Sequence, residues 1–354
     1  GEELQVGASV GIAVSSAETE DPEQLVHQAD LAMYDAKRRG GFQHRLYSHE
    51  LEQVGSDWSV RLEAELRRAI EKHELELVYQ PIVETTEARI VGVEALVRWT
   101  HPEHGPLLPA SFIPIAEESA LIVELDRWVL AHGCREIRRL IDFGVVGEDF
   151  LLSVNLSARH FEEADCVDTI ADILMTTAFD PEQVQLEITE SSAGGDQEKV
   201  RGLKALGVKL AIDDFGTGFS SLSYLRELDV DVLKVDKSFV FSLGADPASI
   251  AIVRTILTLA DMLDLEVIIE GIEDRIQLGH LEDLGGTLVQ GYLFGRPVSA
   301  SHLPRILTAD RLPIRRVLQE HSGSDGDDEP ESEEKRRATD VPAGIPDSPR
   351  SWPT

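Results

Sequence analysis

From about residue 75 onward, short apolar stretches alternate with segments of helical spacing. The stretches are Leu75–Ile82, Arg89–Trp99, Phe150–Leu156, Val184–Thr189, Lys209–Asp213, Val232–Val235, Glu266–Glu270 and Leu288–Gln290. Helical patterns occupy 121–141, 160–178, 197–206, 220–227, 248–263 and 273–284. Strands that alternate with helices pair in parallel, and parallel sheets are covered on both faces. Most of these strands accordingly read as apolar runs. Their number and spacing, over about 240 residues, predict an α/β barrel. An open doubly wound sheet is the alternative, but no Gly-rich phosphate loop follows the first strand.

Polar residues interrupt these apolar strands near their C-terminal ends. Glu94 lies in the second strand, Asn155 ends the third, and Glu187 and Glu190 belong to the fourth. Asp213 and Asp214 end the fifth, Lys234 and Asp236 mark the sixth, Glu270 and Glu273 the seventh, and Gln290 the eighth. Burying one unpaired charge is costly, and a single such residue usually caps a strand or makes a structural hydrogen bond. Repetition on strand after strand needs another explanation, because in an α/β barrel these positions converge on the C-terminal mouth where active sites lie. Glu94, Glu187, Asp213, Asp214 and Glu270 crowded there would repel one another unless cations neutralise them. Hard divalent ions prefer oxygen ligands, and Asn155 can add a neutral one. So many acids suit two Mg²⁺ or Mn²⁺ ions, a pair able to activate water and to stabilise entering and leaving oxygens in phosphoryl transfer. Lys234 reads either as a salt-bridge partner or as a group that orients water and offsets developing charge.

Net charge narrows the partners. The chain has 354 residues, with Lys plus Arg 33 against Asp plus Glu 65, a balance of −32. Coating DNA or RNA needs a cationic surface, so no nucleic-acid partner is expected. A small nucleotide held through metal ions remains compatible. Cys134 and Cys166 give no disulfide framework or cysteine zinc site and read as inert core thiols. No apolar run is long enough to span a membrane, and no signal peptide is visible. The chain opens on Gly1, so it reads as a cytoplasmic piece of a longer protein whose missing part could be membrane-bound.

Several motifs, taken together and in order, identify a resemblance. Tyr79-Gln-Pro-Ile82, Glu94-Ala-Leu-Val-Arg-Trp99, Asn155-Leu-Ser-Ala-Arg159 and Glu187-Ile-Thr-Glu190 come first. Asp213-Asp-Phe-Gly-Thr-Gly218, Lys234-Val-Asp236, Glu270-Gly-Ile-Glu273 and Gln290-Gly-Tyr-Leu-Phe-Gly-Arg-Pro297 follow. The set resembles the EAL domain, the cyclic di-GMP phosphodiesterase family. The resemblance implies a modified (β/α)8 TIM barrel whose first strand runs antiparallel, and metal-dependent hydrolysis of cyclic di-GMP to linear pGpG in a bacterial cytoplasm. It implies Glu94, Asn155, Glu187 and Asp213 around one ion. Asp213, Asp214 and Glu270 would surround the second. Lys234 would hold or help deprotonate the catalytic water. Gln80, Leu96 and Arg98 would touch substrate, Arg98 toward a phosphate. Glu190 would anchor the loop Asp213–Ser221, with Asp236, Glu273 and Gln290 supporting the mouth. A homodimer through this domain is also implied. A silent receptor or interaction module is the rival within the family, but no expected ligand is missing. A metal-dependent lyase on a similar barrel would leave Asp213-Asp214 unexplained.

The remaining segments divide as follows. Ala8-Ser-Val-Gly-Ile-Ala13 and Ala29-Asp-Leu-Ala-Met-Tyr-Asp-Ala-Lys37 resemble the end of a GGDEF (diguanylate cyclase) domain. That remnant is expected over 1–48, as a strand and a helix stopped by Gly40-Gly41. A helical linker and entry helix follows over 49–73, with Leu62, Leu66, Ala69 and Ile70 on one face, then the EAL domain over 74–312. The acidic tail, 319–354, cannot bury enough apolar surface to offset its chain entropy and is expected to be disordered. His101 and His104, beside Pro102 and Gly105, read as a polar turn, with metal ligation the alternative.

Overall fold

The strand that opens the barrel runs against its neighbours. In the computed structural model, which describes residues 10–15, 22–38, 43–48, 51–72, 74–216, 228–241, 243 and 246–308, the chain begins with β1 (Val10–Ile12), α1 (Pro22–Arg38) and β2 (His44–Leu46). The entry helix α2 (Leu51–Lys72) leads into β3 (Leu75–Glu84), β4 (Arg89–His101) and β5 (Gly105–Leu107). Next come α3 (Pro109–Glu118), α4 (Leu121–Asp142), β6 (Leu151–Asn155), α5 (Ala158–Glu162), α6 (Cys166–Thr177) and β7 (Val184–Thr189). Then follow α7 (Glu190–Gly195), α8 (Gln197–Leu206), β8 (Lys209–Phe215), β9 (Val232–Val235) and α9 (Lys237–Phe241). The described chain ends with α10 (Pro247–Met262), β10 (Glu266–Ile269), α11 (Arg275–Asp283), β11 (Leu288–Gln290), β12 (Val298–Ser299) and α12 (Leu303–Thr308).

Strands pair in the order β3-β11-β10-β9-β8-β7-β6-β4, and β4 pairs again with β3, which closes the eight-stranded barrel. β3 is antiparallel to both of its barrel neighbours, while the other barrel strands run parallel. This is the fold the motifs imply.

Alternation along each strand sorts the side chains into two cores. One parity, including Val93, Leu152, Leu186, Ile212, Leu233 and Ile269, joins the large cluster between strands and helices. The other parity faces the lumen, where Ile82, Ala211, Val232 and Ile268 form a separate small cluster. Two residues further along their strands, this inward parity brings Asp213, Lys234 and Glu270 above the lumenal floor. The lower lumen is apolar and the upper lumen ionic.

The helical linker and entry segment forms one continuous helix, α2, from Leu51 to Lys72. Trp58, Leu62, Leu66, Ala69 and Ile70 are buried on one face, as the spacing requires. The N-terminal segment has a second strand, β2, parallel to β1 and too short to carry a period. The helix expected over 160–178 is divided, because Glu163 turns extended at ψ 137° between α5 and α6. Helix α3 escapes the periodicity, since prolines occupy its first position and its interior at Pro114. Cys134 and Cys166 are buried free thiols, and burial pushes them up to about 12 and about 11 respectively. Among the described residues no helix is long and apolar enough to cross a membrane. The expected Gly40-Gly41 stop, the 220–227 helix, the loop from Thr217 to Ser221 and the acidic tail lie outside the described residues.

Candidate active site

Every inward strand end named above faces the same opening. Glu94 on β4 is 7% exposed, Glu187 on β7 is 1% exposed and Lys234 on β9 is 1% exposed. Lys234 Nζ stands at the centre. It lies 2.6 Å from Glu270 Oε1, 2.7 Å from Glu187 Oε2, 3.1 Å from Asp213 Oδ1 and 4.0 Å from Glu94 Oε2.

Two deep carboxylates are held by neutral donors. Gln290 Nε2 donates to Glu94 Oε2 at 2.6 Å, and Asn155 Nδ2 donates to Glu94 Oε1 at 3.0 Å. Ser153 Oγ donates to Glu187 Oε1 at 2.6 Å and itself accepts from Gln185 Nε2 at 2.8 Å. Ser153 and Gln185 were not predicted from sequence. Their signal was parity: each sits two residues before a site residue, on the same inward face.

Asp213 and Asp214 are adjacent, so a regular strand would send them to opposite faces. The β8–β9 register shifts between Ile212 and Phe215, and Asp214 is left-handed at φ 51°. A bulge of this kind re-aims a side chain. As a result Asp213, Asp214 and Glu270 each offer an oxygen, all within 4.8 Å of one another.

The electrostatics reflect this crowding. Burial, then Glu94, drives Glu187 well above the ordinary carboxylate range, against the pull of Lys234. Burial pushes Glu270 up to about 7, with Lys234 opposing and Glu94 and Asp213 reinforcing the rise. Burial, then Asp213 and Asp236, lifts Asp214 to about 6. Burial works to lower Lys234, but Glu187, Glu94, Glu270 and Asp213 together outweigh it and hold the ammonium well above its usual range.

This donor set fits hard divalent cations. It is all oxygen and carries more negative charge than Lys234 offsets. Glu187 Oε2 and Asp213 Oδ1 are buried and have the Lys234 ammonium as their near partner, at 2.7 and 3.1 Å.

The other expected residues are placed with less consequence. Gln80 on β3 pairs in register with Glu94, while Leu96 and Arg98 continue the inward row of β4. Arg98 is half-buried and donates to Val97 O at 2.8 Å. Glu190 opens α7, but the loop it was expected to anchor lies outside the described residues from Thr217 onward. Asp236 accepts from Ser238 N at 2.9 Å, and Ser238 holds it below its usual range although burial opposes this. Glu273 is exposed, and its backbone N–H donates to Gln277 Oε1 at 2.8 Å.

His101 and His104 sit in the polar turn, where they and Glu65 also bring potential ligand atoms within 4.8 Å of one another. His101 Nδ1 accepts from the backbone N–H of Glu103 at 3.1 Å and of His104 at 3.3 Å. The ring proton is thereby fixed on Nε2, which donates to Glu65 Oε2 at 2.9 Å. A metal at that nitrogen would have to displace this proton while Nδ1 faces two donors.

Comparison with known proteins agrees with the geometry. The EAL domain family model matches residues 63–297, and the GGDEF diguanylate cyclase model matches residues 1–43. The bifunctional diguanylate cyclase/cyclic di-GMP phosphodiesterase MucR of Pseudomonas aeruginosa is 38% identical over 305 residues, covering 85% of this chain and 44% of that protein. The cyclic di-GMP phosphodiesterase NbdA of the same organism is 37% identical over 327 residues, covering 90% of this chain and 41% of that protein. The chain thus spans less than half the length of these two curated relatives. The solved PaMucR phosphodiesterase in complex with c-di-GMP is 41% identical with a TM-score of 0.65, covering 69% of this chain and 99% of that one. With the family model spanning all eight barrel strands, the chain belongs to the EAL domain family, and a GGDEF match precedes the barrel.

Proposed function

We propose that this chain hydrolyses cyclic di-GMP to linear 5'-pGpG with two divalent cations, Mg²⁺ or Mn²⁺, and water. The observation that carries the reading is the ring of Glu94, Glu187, Asp213 and Glu270 around Lys234 in a barrel mouth. Glu94, Asn155, Glu187 and Asp213 would hold one ion, and Asp213, Asp214 and Glu270 the other. Bound there, such ions supply an activated water and stabilise the oxygens that enter and leave at phosphorus.

The protein's own contribution is positioning and charge. Gln290 and Asn155 fix both oxygens of Glu94. Lys234 stays an ammonium among its carboxylates, so it orients the attacking water and offsets charge developing on phosphate instead of acting as a base. Arg98 retains guanidinium donors for a phosphate oxygen, with Gln80 and Leu96 contacting the substrate along the same inward rows. Glu190, Asp236 and Glu273 belong to the mouth's loop supports. A bacterial cytoplasmic setting, a tandem GGDEF–EAL arrangement divided near residues 48 and 74, and a homodimer through the barrel complete the reading. The resemblance supports all three, and the bifunctional relative's name supports the tandem arrangement.

Incubation with cyclic di-GMP and either metal, followed by chromatography, tests it. Production of pGpG that stops with EDTA supports the hydrolase. Substrate that binds yet stays intact with both metals overturns it in favour of a receptor.

A further inference from the structure

Beneath the metal-binding carboxylates lies a polar pair that the proposed reaction does not use. Ser153 and Gln185 are both 0% exposed, side by side on β6 and β7, in register with each other. Polar side chains this deep in a barrel otherwise floored by Ile82, Ala211, Val232 and Ile268 carry a desolvation cost. Their hydrogen bonds run in one direction. Gln185 Nε2 is a donor only, so the bond at 2.8 Å makes Ser153 Oγ the acceptor. Ser153 has one proton, and the bond at 2.6 Å commits it to Glu187 Oε1. One Glu187 oxygen is therefore occupied from below. The other, Oε2, faces the Lys234 ammonium in the mouth, 2.7 Å away.

We infer that Ser153 and Gln185 are positioning residues that fix the Glu187 carboxylate with Oε2 presented to the cation site, and so set the affinity of that site. This rests on the metal-dependent reading of the mouth. A carboxylate without the relay could rotate, offer either oxygen, or turn both toward Lys234. Groups that orient ligating residues commonly change metal affinity by about 10–100-fold when removed.

The test is Mn²⁺ titration of the full chain, followed by electron paramagnetic resonance of free ion, with thermal melts in parallel. Ser153→Ala should weaken Mn²⁺ binding about tenfold or more. Its melt in EDTA should remain a single cooperative transition. Gln185→Met keeps the Ser153 proton on Glu187 and should weaken binding less. Ser153→Cys keeps the size but offers only a weak thiol donor, and should weaken binding nearly as much as Ser153→Ala. In turnover, saturating Mn²⁺ should recover most of the Ser153→Ala activity with KM for cyclic di-GMP unchanged, which a general packing defect would not do. A folded Ser153→Ala chain that binds Mn²⁺ like the parent overturns the relay. If Ser153→Ala fails to fold, unchanged Mn²⁺ affinity in a folded Ser153→Cys overturns it instead. If the parent and Asp213→Asn bind Mn²⁺ identically, the metal reading itself fails and the relay falls with it. Parental binding that is lost in Asp213→Asn but kept in Ser153→Ala removes the relay alone.

Discussion

Gln290 Nε2 and Glu94 Oε2 lie 2.6 Å apart, across the seam where the barrel closes. Their strands, β11 and β4, flank the antiparallel strand β3, so this bond ties the last barrel strand to the first active-site acid. Both residues are buried, Gln290 at 3% exposure.

Replacing Gln290 by Leu keeps the volume and deletes the donor. Glu94 is then left with Asn155 as its remaining amide partner. A buried acceptor deprived of its donor costs about 1–3 kcal/mol. The expected outcome is a lower Tm in EDTA and a fall in kcat larger than any rise in KM for cyclic di-GMP. Gln290→Glu should be worse on both counts, because it adds an acid to an already acidic mouth. Melts and steady-state kinetics of the two variants check the order.

Lys234 has a dual role that EDTA can separate. Without metal, its ammonium is what balances Glu187, Asp213 and Glu270. Removing one partner of a buried ionic set costs about 3–5 kcal/mol. Lys234→Met should therefore melt well below the parent in EDTA and regain much of the difference in Mn²⁺, while turnover stays abolished. Equal melts with and without Mn²⁺ would show that the ion and the ammonium do not share the same carboxylates.

The raised acids give the metal-free fold a definite pH dependence. Glu270 rises to about 7 and Asp214 to about 6, from ordinary values of 4.5 and 3.8. The fold therefore holds more protons than the unfolded chain between about pH 4 and pH 7, and stability in EDTA declines as pH rises through that window. Metal binding runs the other way, since protons compete for the same oxygens. The Tm increment from Mn²⁺ should be small at pH 5 and large at pH 8. A flat increment across that range would place the ion elsewhere.

Much of this site was legible because buried strands tolerate few polar residues. Glu187 and Lys234 announce themselves inside the apolar runs Val184–Thr189 and Val232–Val235, and the barrel follows from the rhythm of those runs. Ser153 and Gln185 were not legible: a Ser or Gln in a strand carries little signal until the parity of the lumen is known. The Asp213–Asp214 pair shows a different limit. Sequence supplies two acids but not the bulge at φ 51° that turns both toward Glu270. Helix α3 was hidden by Pro109 and Pro114, because tertiary packing of Phe112, Ile115 and Ala116 overrides a poor local propensity.

On the metal-dependent reading Asp214 would exchange stability for chemistry, and a single substitution separates the two. Its left-handed backbone at φ 51° is one that glycine adopts without penalty, whereas other L-residues lose roughly 1 kcal/mol there. Its carboxylate also sits against Asp213 and Asp236, which help raise its pKa. Asp214→Gly relieves both the strain and the repulsion and removes one of the oxygens grouped with Asp213 and Glu270. The variant should melt higher than the parent in EDTA, gain less from added Mn²⁺ and lose most of its turnover. Asp214→Asn keeps the backbone strain and one oxygen, so it should fall between the two in Mn²⁺ response. A Gly variant that melts lower than the parent in EDTA would mean that Asp214 is there for the fold, and that the bulge is held by its side chain rather than imposed for the sake of the ion.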